Sequence, residues 1–133
     1  MGTWIEMEVD EKEVAHLDTP ISAPAENQAI RAVFPEGFWD KNYSQEFDFV
    51  SNQRRAQRVI KDFLESVKGG WEANQHPNPL AEMVRDALAP TEESNPSKRL
   101  DFALTWAKEF EALYNLGVKL QQEGKHPKIT ISL

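Results

Sequence analysis

The sequence contains no cysteine. That excludes disulfides and thiolate metal sites, and it fits a reducing compartment. No apolar run approaches the ~20 residues that a bilayer span needs, so no membrane segment is expected. Met1 to Asp10 has neither a basic stretch nor an apolar one, so no secretory signal is expected and the chain is assigned to the cytoplasm. Without a secretory route, Asn42-Tyr43-Ser44 reads as a chance match to the glycosylation pattern. Histidine is scarce. His16, His76 and His126 lie far apart with no pair at i,i+4, so no metal site is predicted. The chain has only 6 glycines, and no G-x-G-x-x-G or G-x-x-x-x-G-K-[ST] loop to cradle a phosphate. A G-x-S-x-G elbow is missing too. Ser94 and Ser97 read as capping residues at a helix start, with no base placed to activate them. No cofactor and no catalytic residue is predicted.

What is present is a chain of 133 residues, 40% of them hydrophobic, which is enough for one core. A single domain over 1–133 is expected. Its parts are a strand plus an irregular acidic and aromatic segment to residue 43, a helical core over 44–124, and a strand over 128–133. The net charge of −7 is uneven. Residues 1–50 hold 11 acids against 3 bases, whereas residues 51–70 hold 2 acids against 5 bases. This acidic balance disfavours broad nucleic-acid binding, which draws most of its affinity from phosphate neutralisation.

Two segments alternate with period 2, the pattern of a half-buried strand. In Thr3 to Val9, Ile5, Met7 and Val9 alternate with Glu6 and Glu8. In Lys128 to Leu133, Ile129, Ile131 and Leu133 alternate with Thr130 and Ser132. Each has one apolar face, so the two are predicted to pair as a ribbon laid on helices. Residues 18–43 read as irregular because Pro20, Pro24 and Pro35 punctuate them, with one or two helical turns over Ala25 to Val33.

Three helices are predicted next. In the first, Ala56, Val59, Ile60, Phe63, Leu64 and Val67 form one stripe that Gly69-Gly70 ends. It starts either at an Asn42/Gln45 capping box or near Ser51. The second opens at Asn78-Pro79, carries Leu80, Met83, Val84, Ala87 and Leu88, and stops at Pro90. The third runs from about Pro96 to Glu123. One of its faces carries Leu100, Ala103, Leu104, Ala107 and Tyr114, and another Phe102, Trp106, Phe110, Leu113, Gly117 and Leu120. Apolar cover this wide means a central helix, or one whose second face meets a partner. The expected fold class is therefore α+β, mainly α: a three-helix core with a small two-stranded antiparallel ribbon formed by the N- and C-terminal segments.

Acid pairs such as Glu6 with Glu8, Glu92 with Glu93, and Glu109 with Glu111 read as solvated surface carboxylates. Two features are more pointed. Arg54, Arg55, Arg58 and Lys61 make a basic cluster near a helix start, where cations oppose the macrodipole. It answers either to the chain's own acids, Glu46 and Asp48 among them, or to an acidic partner or nucleic acid. Phe34, Phe38 and Trp39 crowd one turn, which is either a partner-binding anchor or a plug in the core. Trp106 and Phe110 join them as candidate partner-contacting residues, in self-association or with another protein.

The expected function is a non-catalytic protein-binding or assembly protein: an adaptor, an accessory subunit or an acidic inhibitor. The alternatives are a nucleic-acid-binding module using the basic cluster, with Trp39 or Tyr43 stacking on bases, and an enzyme built from scattered residues across a dimer.

Overall fold

The structure is a computed structural model that describes residues 3–19, 24–39, 44–75 and 96–132. Strand β1 (Thr3–Val9) turns back into β2 (Lys12–Thr19) through Asp10 and Glu11, both left-handed at φ 52° and 65°. A two-residue loop with both φ positive is a type I′ turn, whose twist matches that of the flanking strands. Helix α1 (Pro24–Val33) and a 3₁₀ turn (Glu36–Phe38) come next. The short strand β3 (Gln45–Glu46) precedes α2 (Gln53–Gln75), and α3 (Pro96–Gln122) leads into β4 (Lys128–Ser132).

The four strands form one antiparallel sheet in the order β2-β1-β4-β3. β1 and β4 are its centre, with Ile5 opposite Ile131 and Met7 opposite Ile129. These residues and Leu17 of β2 are buried on one face, under the helices. α2 packs on both α1 and α3, and α3 also packs on β2. β1 is tied to α1 where the Thr3 hydroxyl donates to Asn27 Oδ1 at 2.8 Å. Glu26 is fully buried in the first turn of α1, where the helix dipole favours an acid.

The expected three-helix core with a two-stranded ribbon is overturned. β1 and β4 do pair, but β2 and β3 flank them in a four-stranded sheet, and that sheet is a full layer of the fold. β2 escapes a hydrophobicity pattern because its inward positions are Ala15, Leu17 and Thr19, only one of them a large apolar residue. Its turn is Asp-Glu where a hairpin usually announces itself with Asp-Gly. β3 is two residues long, too short for any alternation to show. Residues 24–33 form a full ten-residue helix in place of one or two turns. Pro24 sits at its first position, where the missing N–H has no helical acceptor to lose.

α2 begins at Gln53, near the Ser51 alternative, but it does not stop at Gly69-Gly70 as expected: it runs through both glycines to Gln75. Asp48 fixes the entry of α2 by a local side-chain bond to the backbone: Oδ1 accepts the Ser51 N–H, three residues on, at 3.0 Å and Oδ2 accepts the Ser51 hydroxyl at 2.7 Å. The two apolar faces assigned to α3 merge into one broad buried surface. Ala103, Trp106, Ala107, Phe110, Leu113, Tyr114 and Gly117 are all buried. The helix predicted from Asn78-Pro79 to Pro90 lies outside the described residues, as do Asn42, Tyr43, His76, Glu92, Glu93 and Ser94, and the side chain of Ser97.

An aromatic cluster organises the core. Phe47 meets Phe34 and Phe49 edge-on at centroid distances of 4.9 and 5.1 Å, and Phe49 meets Tyr114 at 5.1 Å. Trp106 stacks on Phe110 at 5.0 Å and donates its indole N–H to Thr19 Oγ1 at 3.0 Å, which fastens α3 to the end of β2.

Candidate functional site

The aromatic turn folds inward. Phe34 and Trp39 are buried, and Phe38 is half-buried against Phe34 and Phe47. The Trp39 indole donates to the Phe34 carbonyl at 3.3 Å, and the Arg31 guanidinium lies 4.1 Å from the Trp39 ring centroid. Trp106 and Phe110 are buried as well, so four of these five aromatics place their surface in the chain's own core. Leaving so much ring area in water would be unfavourable.

The basic cluster divides. Arg55 Nη2 donates to the Val33 carbonyl at 2.6 Å, so a cation of α2 satisfies the C-terminal end of α1. Arg54, Arg58 and Lys61 remain exposed along α2. Lys61 and Lys68 border a groove between α2 and α3 together with Glu65 and Glu111, so that surface is mixed in sign. The negative group at the start of α2 is Asp48. The backbone and hydroxyl hydrogen bonds from Ser51 hold its carboxyl below the usual range.

Another open feature among the described residues lies at the edge of the sheet. β2 pairs with β1 on one side only, so among the described residues its other side carries unmatched backbone N–H and C=O groups. Between this edge and α3 runs an open groove of about 620 Å³, bordered by Glu13 through Asp18 on the strand and by Glu109, Ala112 and Leu113 on the helix. Val14 stands 43% exposed at its mouth, one of two large apolar residues so exposed among the described residues.

Register explains the arrangement. Glu13 lies opposite Glu8, His16 opposite Glu6, and Asp18 opposite Trp4. These partners occupy the outer face of β1, so Glu13, His16 and Asp18 line the outer side of the edge. Val14 is the extra residue at a bulge between Met7 and Glu8, where Met7 pairs with Ala15 and Glu8 with Glu13. On the inner side, Glu109 and Ala112 are exposed on α3, one turn apart. The outer face also holds a ring pair, Trp4 stacked on His16 at 4.6 Å and 12°. His16 Nδ1 lies 3.5 Å from Glu13 Oε1. The opposite edge of the sheet, β3, is two residues long and offers little template.

The residues of this groove were individually visible in the sequence but not as a set. In the sequence His16 stands as an isolated histidine, Glu109 as a solvated acid, and the surplus of acids in residues 1–50 as a bulk property. Only the hairpin brings Glu13, His16 and Asp18 into line, and only the docking of α3 sets Glu109 across from them. Among the described residues no three His, Asp or Glu side chains converge to hold a metal ion, and no helix is long and apolar enough to cross a membrane. No protein-family model, curated protein or solved structure matches the chain.

Proposed function

We propose that this chain is a non-catalytic protein-binding module that receives a segment of its partner as an added strand along β2. The observation that carries the reading is the edge itself: an eight-residue strand that, among the described residues, pairs on one side and borders an open groove. Strand addition supplies affinity through main-chain hydrogen bonds, and the groove wall supplies selectivity through alternate side chains. Charges and a bulge are the usual guards of an exposed edge. Here the bulge at Val14 blunts the end near the turn. The run Ala15–Thr19 keeps a regular register with Met7–Thr3, and its outward charges select among partners without closing the edge.

Ala112→Arg tests this. The position is an exposed site on α3, so the fold should persist, while the longer side chain fills the groove. The wild-type chain should retain a binding partner in pull-down from its host, and that partner should be lost with Ala112→Arg at unchanged circular dichroism. Equal retention by both chains would place the binding surface elsewhere.

A further inference from the structure

The side chains around the β2 edge narrow the chemistry of its occupant. We infer that the groove takes an extended peptide segment of another protein in which basic residues alternate with apolar ones. This rests on the strand-addition reading proposed above.

A strand laid beside β2 sends successive side chains to opposite faces. Those turned to the outer face would run past Glu13, His16 and Asp18. Those turned inward would rest on Ala112 and Leu113, with Glu109 at the rim. The outer positions therefore favour lysine or arginine, and the inner ones favour small or apolar residues. Among the described lining residues the carboxylates are Glu13, Asp18 and Glu109, and there is no lysine or arginine. Glu13 faces Glu8 directly across the β1–β2 ladder, and Lys128 of β4 flanks Glu8 on its other side, so Glu13 is the acid of the pair on the open side of the sheet. Residues 1–50, which supply the edge, hold 11 acids against 3 bases, so the surrounding field draws a cationic segment towards it. The five residues from Ala15 to Thr19 set the length of regular pairing.

The same charges disfavour the other occupants. A second copy of this chain would bring Glu13, Asp18 and Glu109 against themselves, with a charge of −7 on each side. A nucleic acid would set phosphates against the acidic rim.

The test is selection of linear decapeptides from a random phage-displayed library on the full chain at about 50 mM salt, where charge attraction is little screened. Clones that also bind the Ala112→Arg chain are removed. Enriched peptides should alternate Lys or Arg with apolar residues. As synthetic peptides they should lose at least about tenfold in affinity to Asp18→Lys, which reverses a charge on the outer face, and they should lose binding when alternate backbone nitrogens are methylated. Enrichment of neutral or acidic sequences that remain sensitive to methylation would overturn the basic pattern and leave strand addition standing. Binding that ignores methylation, or no enrichment over Ala112→Arg, would overturn both. Sedimentation of the free chain as a dimer that Ala112→Arg dissociates would make a second copy the occupant and overturn the inference.

Discussion

Two side-chain contacts of α3 illustrate how single atoms fix the packing. A Cβ on Gly117 would lie 2.5 Å from Cδ1 and Cε1 of Phe49. Phe49 is fully buried and held edge-on by Phe47 and Tyr114, so its ring has no room to retreat. Gly117→Ala should gain about 1 kcal/mol of helix propensity and lose about 2–3 kcal/mol to overpacking, a net destabilisation of about 1–2 kcal/mol read as a lower urea midpoint. Tyr114 donates its hydroxyl to the buried Phe49 carbonyl at 2.7 Å. Tyr114→Phe orphans that carbonyl and should cost about 1–2 kcal/mol. Burial also pushes the phenol up to about 12, helped by Asp48 and opposed by Arg55. Between pH 10 and about 12 the unfolded chain releases the phenolic proton while the native chain keeps it. The stability due to this group is therefore full below pH 10 and lost as the pH rises towards 12. Denaturation at pH 9 and pH 11 should show a smaller alkaline loss for Tyr114→Phe than for the parent. The spacing of α3 already places Gly117 on an apolar face, but the ring it accommodates comes from a loop that no periodicity describes.

At the scale of the element, the hairpin turn departs furthest from local preference. Asp10 tolerates the left-handed region because its short side chain can bond locally, whereas Glu11 at φ 65° has no such recourse. Glu11→Gly should stabilise the chain by about 0.5–1 kcal/mol, seen as a raised Tm, and leave the β1–β2 register unchanged in amide nuclear Overhauser effects. This turn also explains why β2 is hard to read in the sequence: its marker glycine is missing and its inner face is poor in large apolar side chains. β1 and β4 are legible because Ile5, Met7, Ile129 and Ile131 alternate cleanly, and α2 and α3 because their apolar stripes are long. The groove is legible only in parts. Its acids appear as a charge surplus, but their alignment depends on strand register and on helix docking, neither of which leaves a local trace. Arg55 is similar. It looks like one of a basic cluster until α1 proves to be a full helix whose last carbonyl it satisfies.

For the whole molecule, one core joins sheet and helices, so damage to the central helix should be global. Phe110 is fully buried between Trp106 and Phe34. Phe110→Asp should cost about 4 kcal/mol or more and abolish cooperative unfolding in calorimetry. A folded variant with an unchanged transition would mean that α3 is not the element around which the core closes. The central ladder of the sheet joins β1 to β4, so residues at nearly opposite ends of the described chain become neighbours, Trp4 beside Ser132. During synthesis the β1–β2 hairpin leaves the ribosome long before its inner partner is translated. One whole side of β1 must therefore wait uncovered, and the sheet can complete itself only when the last strand arrives. Closing so long a span makes folding slow, on the order of milliseconds to seconds. In that interval the open side of β1 is a second, temporary strand edge, and an uncovered edge is a template for pairing with another chain.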